Sequence, residues 1–387
     1  MKFIEFFSGV GLVREGLSAS GWVCAFANDI SHEKMLTYIS NYGEDNFYLG
    51  DIWDLVKNEM IIPNDAFLYT ASFPCTDLSV AGNRAGLEGK ESGTLLAIIE
   101  ILKKKEIKKS APKVILLENV PGFITSKNGS DLLRTINELN SLDYYIDVIE
   151  IDASLFTPQS RPRVFIIAMK SDVAIKNMVI KNDDDVFCEW FNIIKNTELK
   201  STKLKSLLLN NNLKLGSFNL NAPRKTELRL RDIIDTDIKH NSKLWWNDER
   251  KQKLYTQMSE KHKSVLHQMI HSPEYSYGTV YRRMRNAQST AELRTDGIAG
   301  CLRTPKGGSS KQILIQAGMG HWMVRLLSPR EYARLQGVRD SFILPENDNK
   351  GYFAMGDAVC VPVIEFIAKN IITPAYKRYF GYLKQAV

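Results

Sequence analysis

Cys75 is the residue of this chain best placed to act as a nucleophile. It follows Pro74 just after the apolar run 66–72 and leads into a stretch rich in glycine. A cysteine thiolate can attack an electron-poor carbon and form a covalent intermediate. The structural alternative is a buried cysteine that packs as a small hydrophobic side chain.

Glu118, Arg161 and Arg163 are further candidates for a role in chemistry. Glu118 ends the apolar run 113–117, so we expect it to be half-buried and to act as an acid or a hydrogen-bond donor. The two arginines, two residues apart, point the same way off an extended backbone and can bind a carboxylate, a phosphate or a base. The structural alternatives are a helix cap or ion pair for Glu118 and ordinary surface charge for the arginines.

Short apolar segments must position these residues. The segments are 2–7, 22–27, 66–72, 113–117, 145–151 and 163–169. Helical patterns such as 94–105 separate them, which indicates βαβ units and a buried, mostly parallel sheet. In such sheets chemistry gathers at the carboxyl ends of the strands, where the polar residues of this chain lie.

Two helices are predicted beyond residue 320. Ser328 is a favourable N-cap, followed by Pro329 at the first helical position and by Glu331 three residues after the cap. Gly337 is a plausible end for that helix. A last amphipathic helix is predicted at 361–372.

Three loops near the N-terminus suit a cofactor that contains a nucleoside. Gly9 and Gly11 follow the first strand and permit close approach of a ligand to the backbone, although a tight turn would use the same glycines. Asp29 ends the second strand, where an acidic residue can accept hydrogen bonds from ribose hydroxyls. Asp51 follows a third strand-like stretch. Only two of the three glycines of a dinucleotide fingerprint are present, so a pyrophosphate cradle is less favoured.

Taken in order, these motifs resemble the DNA cytosine-5 methyltransferase family. The matching motifs are Phe7-Ser8-Gly9-Val10-Gly11, Phe73-Pro74-Cys75, Glu118-Asn119-Val120, Gln159-Ser160-Arg161-Pro162-Arg163, Arg325-Leu326-Leu327-Ser328-Pro329-Arg330-Glu331-Tyr332-Ala333-Arg334-Leu335-Gln336-Gly337 and Gly356-Asp357-Ala358-Val359. The resemblance implies an α/β, Rossmann-like class I methyltransferase domain built from 1–170 and 321–387. It also implies a smaller, irregular target-recognition domain inserted at 171–320.

The resemblance implies S-adenosylmethionine as cofactor, S-adenosylhomocysteine as product and no metal. Asp29 would hold the ribose, and Asp51 with Ile52 would hold the adenine. The segment from Asp357 would close the cofactor pocket from the C-terminal side. The full implied set is Phe7, Ser8, Gly9, Val10, Gly11, Asp29, Ile30, Asp51, Ile52, Pro74, Leu95, Asp357, Ala358 and Val359.

The family mechanism, carried onto this chain, makes Cys75 the nucleophile that attacks C6 of a cytosine flipped out of the duplex. Glu118 would hold N3 and the amino group of the base. Arg161 and Arg163 would support the base and the cysteine. Thr76 stands where the family commonly has Gln, and Asp357 where it usually has Asn.

Double-stranded DNA is the implied partner, and several residues are expected to contact it. These are Ser79, Arg84, Gln159, Arg282, Arg283, Arg285, Arg294, Arg303 and Lys306. Arginines hold phosphates or read guanine in the major groove. For any single one of them, a solvated basic surface is an equally good interpretation.

The charge of the chain is unevenly distributed along the sequence. Among 387 residues, 51 are Lys or Arg and 44 are Asp or Glu, a net charge of +7. Residues 171–320 hold 25 of the basic and 16 of the acidic residues, against 26 and 28 elsewhere. We therefore expect the predicted target-recognition domain to supply most of the affinity for DNA phosphates.

Composition points to a cytoplasmic protein, a monomer, without a membrane span. No run of apolar residues approaches the roughly 18 that a spanning helix needs. The five cysteines are scattered and form no CxxC pair, which favours a reducing compartment. A restriction endonuclease that acts on the same site is a possible functional partner.

Two other functions stay open at this point. One is an RNA cytosine-5 methyltransferase of the same fold, against which the large basic insert argues. The other is a catalytically silent, sequence-specific DNA-binding protein. The presence of Cys75, Glu118 and Arg163 argues against the silent protein.

Overall fold

The structure is a computed structural model, and it describes residues 1–77, 86–89, 91, 93–182, 189–285, 288–304 and 311–385. The chain divides into two compact units. Unit 1 comprises Met1–Ile151, Pro162–Arg224 and Val363–Val387, and unit 2 comprises Asp152–Arg161 and Lys225–Pro362.

Strands and helices alternate through most of unit 1, whereas unit 2 has its strands together. The strands are β1 (Lys2–Phe6), β2 (Val23–Asp29), β3 (Phe47–Leu49), β4 (Leu68–Ser72), β5 (Val114–Asn119), β6 (Tyr144–Asp152), β7 (Pro162–Lys170), β8 (Val179–Ile180), β9 (Gly216–Ser217), β10 (Ser276–Arg285), β11 (Gln288–Arg294), β12 (Ile313–Gly318) and β13 (His321–Leu326). The helices are α1 (Leu12–Ser18), α2 (His32–Tyr42), α3 (Ile52–Lys57), α4 (Thr94–Ile107), α5 (Gly122–Thr125), α6 (Ser130–Ser141), α7 (Ser171–Asn177), α8 (Glu189–Asn196), α9 (Thr202–Leu209), α10 (Asp248–Thr256), α11 (Glu260–Ile270), α12 (Pro329–Leu335), α13 (Asp348–Asp357), α14 (Val361–Ile367) and α15 (Thr373–Gln385).

Unit 1 is built on a seven-stranded sheet with the order β3-β2-β1-β4-β5-β7-β6. Strands β1 to β5 pair in parallel, and β7 runs antiparallel to β5. All six residues of β5 are buried, as expected for a strand of a sheet covered on both faces. The predicted α/β, mostly parallel, Rossmann-like architecture is therefore confirmed.

The core of unit 1 includes helices from the part of the sequence that looked irregular. Trp190 and Ile194 of α8, and Leu204 and Leu208 of α9, are buried in the same hydrophobic cluster as the central strands. Their spacing of four residues places each pair on one helical face. Residues 171–224 thus pack in unit 1, so the compact units do not follow the predicted boundaries at 171 and 320.

Unit 2 contains a four-stranded antiparallel sheet with the order β11-β10-β12-β13. Helices α10 and α11 cover one face of it, because their apolar side chains share a hydrophobic cluster with alternate residues of the strands. Val280 of β10 and Ile313 and Ile315 of β12 face these helices. Residues of β10 two positions from Val280 therefore point to the same face.

The predicted start of α12 is confirmed in detail. The hydroxyl of Ser328 accepts the N–H of Glu331 at 3.2 Å, and the Glu331 carboxylate accepts the N–H of Ser328 at 2.6 Å, which is a capping box. Gly337 follows with a φ of 73°, as its role in ending the helix requires. The last predicted helix is longer than expected, because α14 continues through a π-helical turn into α15.

One helical stretch, Asp348–Gly381, is long and apolar enough to cross a membrane by length and composition alone. Of its most apolar window, 61% is buried within the protein. Burial of this kind is what a core helix needs, so the stretch is weak evidence for a membrane span.

Candidate active site

The segment that carries Cys75 is held at one edge of the sheet of unit 1. Ser72, the last residue of β4, lies opposite Glu118 of the parallel strand β5. The side chain of Asn119 donates a hydrogen bond to the carbonyl of Phe73 at 3.0 Å. Cys75 itself is partly exposed. The ends of two neighbouring strands thus bring the candidate nucleophile and the candidate acid to the same edge, as the sequence predicted.

Glu118 and Arg163 form an ion pair at this edge. Arg163 Nε lies 3.0 Å from Glu118 Oε1, and both side chains are largely buried. The antiparallel pairing of β5 with β7 sets Glu118 opposite Phe165, two residues along β7 from Arg163. A guanidinium is rigid and planar, so it can orient this carboxylate while leaving one carboxylate oxygen for another ligand.

Arg161 belongs to unit 2, and its guanidinium donates hydrogen bonds to backbone carbonyls. It is 2% exposed and donates to the carbonyls of Leu302 at 3.0 Å and of Ala358 at 2.7 Å. A further contact joins it to the Cys301 sulfur at 3.6 Å. Arg161 and Arg163 therefore bind different partners, although the sequence suggested that they point the same way. Arg161 fixes backbone segments rather than presenting a free guanidinium to a base.

Gln159 is also buried in unit 2, where its side-chain amide joins two segments. Its Nε2 donates to the carbonyl of Leu335 at 2.9 Å, and its Oε1 accepts the N–H of Leu302 at 3.2 Å. With an exposed fraction of 0%, the side chain has no surface to offer to DNA. The DNA contact predicted for Gln159 does not fit this position.

Gln336 was not among the predicted site residues, yet it holds the segment expected to close the cofactor pocket. Its Nε2 donates to the carbonyls of Met355 at 2.8 Å and Ala358 at 3.0 Å, and the side chain is fully buried. The sequence signal that could have identified Gln336 is its position directly before Gly337 in the matched motif. Asp357 is exposed, Ala358 half-buried and Val359 buried, all within unit 2.

The first loop of unit 1 has the geometry of a ligand cradle. Phe7, Gly9 and Gly11 have positive φ values of 53°, 56° and 86°. The N–H of Gly9 donates to the Asp29 carboxylate at 2.8 Å, which ties the loop to the end of β2. Among the residues that the structure describes, and apart from the two chain neighbours, no atom lies within 4 Å of the place where a Cβ on Gly9 would stand.

A buried polar atom in the same loop indicates what kind of ligand the loop could bind. The hydroxyl of Ser8 is buried and, among the residues that the structure describes, has no hydrogen-bond partner. Buried hydroxyls are normally satisfied, so a ligand group here would supply the missing bond. The residues present fit a cofactor with hydroxyl, amino and carboxylate groups, such as S-adenosylmethionine.

The other predicted cofactor residues differ in how exposed they are. Asp51 caps α3 by accepting the N–H of Trp53 at 2.9 Å, and Ile52 is buried beside it. Val10 is buried, Pro74 is partly exposed and Ile30 is 69% exposed. Leu95 is fully buried in the hydrophobic core, so a cofactor contact does not fit its position.

Glu5 lies in β1, two residues before the cradle, and is completely buried. Burial raises the pKa of its carboxyl to about 8. The positive charge of Arg14 lowers this pKa and the negative charge of Asp29 raises it, but both effects are smaller than that of burial. The burial of Glu5 could not be predicted from the sequence, because a glutamate in an apolar strand can also face solvent.

The predicted DNA-contact residues that are described lie in unit 2. Arg283 pairs with Glu292 at 3.5 Å, and Arg294 pairs with Asp296 at 2.7 Å. Arg303 lies over the ring of Tyr281, with 5.4 Å between the guanidinium carbon and the ring centroid. Outside the described residues are Ser79, Arg84 and Lys306, and the side chain of Arg285 is likewise outside the description.

Metal ligation is not suggested by the described part of the chain. Within it, no group of three or more His, Cys, Asp and Glu side chains is arranged to hold a metal ion.

The sheet order, the glycine loop after β1 and the cysteine after β4 together define a Rossmann-like methyltransferase. The chain belongs to the family of C-5 cytosine-specific DNA methylases, whose model matches residues 1–373. The predicted family and enzyme class, a DNA cytosine-5 methyltransferase, are confirmed.

Relatives and solved structures agree with this membership. The chain is 27% identical over 376 residues to the Type II methyltransferase M.HhaI of Haemophilus parahaemolyticus, covering 96% of this chain and 94% of that protein. It is 26% identical over 444 residues to the Type II methyltransferase M.BanI of Aneurinibacillus aneurinilyticus, covering 100% of this chain and 99% of that protein. The S. pombe Dnmt2 methyltransferase has a similar fold, with a TM-score of 0.59 at 18% identity over 95% of this chain and 97% of that one.

Proposed function

We propose that this protein methylates C5 of cytosine within a specific sequence of double-stranded DNA, with Cys75 as covalent nucleophile. The observation that supports it most is the arrangement at the edge of the unit 1 sheet. There Ser72, three residues before Cys75, lies opposite Glu118, and Arg163 holds the Glu118 carboxylate at 3.0 Å. A nucleophile and a fixed hydrogen-bonding carboxylate are what addition to a pyrimidine ring requires.

In the proposed mechanism the Cys75 thiolate forms a bond to C6 of the cytosine. The electron pair of the C5–C6 double bond moves toward C5, which becomes nucleophilic. Glu118, oriented by Arg163, would accept the amino N–H of the base and, as the protonated acid, donate its O–H to N3, which stabilises the negative charge that develops on the ring. After C5 is substituted, loss of its proton re-forms the double bond and releases the thiolate.

S-adenosylmethionine, when bound, would supply an activated methyl group on a sulfonium, and the loop Phe7–Gly11 with Asp29 would hold it. The target base must leave the duplex to reach Cys75, which costs a few kcal/mol of stacking and pairing. Arg161 and Gln336 would act as positioning residues, because both bind the carbonyl of Ala358.

Covalent trapping tests this proposal. Methylome sequencing of cells that express the protein, with Cys75→Ser as control, first identifies the target site. With S-adenosylmethionine present, a duplex with 5-fluorocytosine at that site should then form a stable adduct with the wild type and not with Cys75→Ser, because the substituted C5 carries fluorine in place of the proton whose loss would release the thiolate. Cys24→Ser is the matched control, since burial raises the pKa of Cys24 to about 12 and makes it a poor nucleophile.

The outcomes separate the candidate functions. An adduct on DNA supports the proposal. An adduct on RNA alone would favour the RNA methyltransferase, and tight sequence-specific DNA binding without an adduct would favour the silent binding protein. A cognate endonuclease, a monomeric state and a cytoplasmic location remain predictions.

A further inference from the structure

The basic excess of the chain lies entirely in unit 2. Its residues include 23 Lys and Arg and 16 Asp and Glu, whereas unit 1 has 28 of each. Unit 2 therefore carries the whole net charge of +7 and unit 1 carries none. Attraction of DNA phosphates should depend on the basic groups of unit 2 that are not already neutralised by a carboxylate.

Two of the predicted DNA-contact arginines do not meet that condition. On the face of the sheet away from α10 and α11, Arg283 and Arg294 are paired with Glu292 and Asp296. An arginine already paired with a carboxylate gains less from a phosphate, because the new contact must replace the existing one.

Arg282 and Arg250 are different, because Arg282 lies on the helix-covered face of the same sheet and Arg250 lies on α10, one of the covering helices. Arg282 points to that face because it is two residues from Val280, which packs under α10. Directly opposite Arg282 on β11 is Ala291, whose N–H donates to the carbonyl of Gln257 just after α10. Arg250 stands on α10, and the charge of Arg282 adds to the burial that lowers the pKa of Arg250.

Neither guanidinium is satisfied within the described part of the chain. Arg250 and Arg282 form no ion pair and donate no side-chain hydrogen bond there, and the Nε of Arg282 is buried. Arg250 is instead held against the ring of Trp246, 3.7 Å from its centroid. Two like charges and an unmet buried donor are unfavourable until an anion joins them.

We infer that Arg250 and Arg282 form a clamp for one phosphodiester group of the DNA backbone. Two guanidiniums match the oxygens of a phosphate, and the stack on Trp246 holds one of them in place before binding. The inference rests on the proposed function for the identity of the anion. It adds Arg250, on α10, to the residues that the sequence predicted to contact DNA.

The salt dependence of DNA binding tests the clamp. Each phosphate neutralised contributes a slope of about −0.9 to the dependence of log K on log salt. The double variant Arg250→Gln/Arg282→Gln should lose about 0.9 of slope, because one phosphate is shared. Lys203→Gln, an exposed charge on α9 of unit 1, is the matched control and should leave the slope as it is.

A scan of duplexes with single neutral methylphosphonates locates the phosphate. One position should weaken binding by the wild type and leave the double variant unaffected. An unchanged slope in the double variant overturns the clamp. A loss of about 1.8 also overturns it, because two separate phosphates would then be bound.

Two further measurements keep the test decisive. If circular dichroism shows that Arg282→Gln does not fold, single variants of Arg250 carry the test. Arg250→Gln should then lower the slope, and Arg250→Lys should retain the wild-type slope. Methyl transfer by the wild type is measured on the same duplex. A slope change without methyl transfer contradicts only the proposed function, and methyl transfer with an unchanged slope contradicts only the clamp.

Discussion

Glu5→Gln should make the protein more stable near neutral pH and should remove a pH dependence of folding. The Glu5 carboxyl is completely buried, and burial raises its pKa from 4.5 to about 8. Between these values the folded protein keeps a proton that the unfolded chain has lost. The stabilising contribution is therefore fully present below pH 4.5 and declines as the pH rises toward 8.

The magnitude follows from the pKa difference. One pKa unit corresponds to about 1.4 kcal/mol, so the whole shift is equivalent to roughly 5 kcal/mol. At pH 5 the wild type would be less stable than the glutamine variant by about 1 kcal/mol, and at pH 7.5 by about 4 kcal/mol. Glutamine has nearly the same shape and no charge, so the difference reports ionisation rather than packing.

Urea denaturation of both proteins across pH 5 to 8 measures this difference. Other groups titrate in the same range, but they do so in both proteins and cancel in the comparison. Glu44→Gln, which changes an exposed glutamate of unit 1, is the matched control and should change the stability little. A Glu5→Gln difference that stays constant from pH 5 to pH 7.5 would refute the reasoning, because it would show that Glu5 does not change its proton count on folding.

Two further predictions concern single contacts. Glu331→Gln removes the charge partner of the Arg325 guanidinium, whose side chain is 2% exposed. This substitution should lower the free energy of unfolding by roughly 3–5 kcal/mol. A change under about 1 kcal/mol would contradict a buried ion pair. Gly11→Ala forces a Cβ to 2.5 Å from the Tyr42 ring at a φ of 86°. It should raise the Kd for S-adenosylmethionine in calorimetry and cost at least about 1–2 kcal/mol of stability; unchanged affinity would exclude this loop from the cofactor site.

The features that sequence predicted well are those set by local rules. The capping box at Ser328 needs only a hydroxyl and a carboxylate three residues apart, and it forms as expected. The edge that joins Cys75 and Glu118 follows from the rule that parallel strands end on the same side of a sheet. Both depend on contacts that any fold of this class must make.

The features that sequence missed depend on tertiary burial. Nothing local distinguishes Gln159, which binds backbone in the interior, from a glutamine that reaches DNA. Likewise, α8 and α9 lie in a polar stretch whose few apolar residues suffice to pack them in unit 1. Charge is not among the missed features, because the range 171–320, with 25 basic and 16 acidic residues, and unit 2, with 23 and 16, each hold the whole basic excess.

The short segment from Gln159 to Arg163 shows why two arginines two residues apart in one motif need not share a role. The chain passes from unit 2 to unit 1 between Arg161 and Pro162. Arg161 is bonded to carbonyls of unit 2, and Arg163 is bonded to Glu118 of unit 1. Replacement of Arg161 should therefore act through the backbone around Ala358, whereas replacement of Arg163 should act directly on the carboxylate proposed to hold the base. The two substitutions would then differ in kind, the first changing cofactor affinity and the second changing the rate of covalent addition.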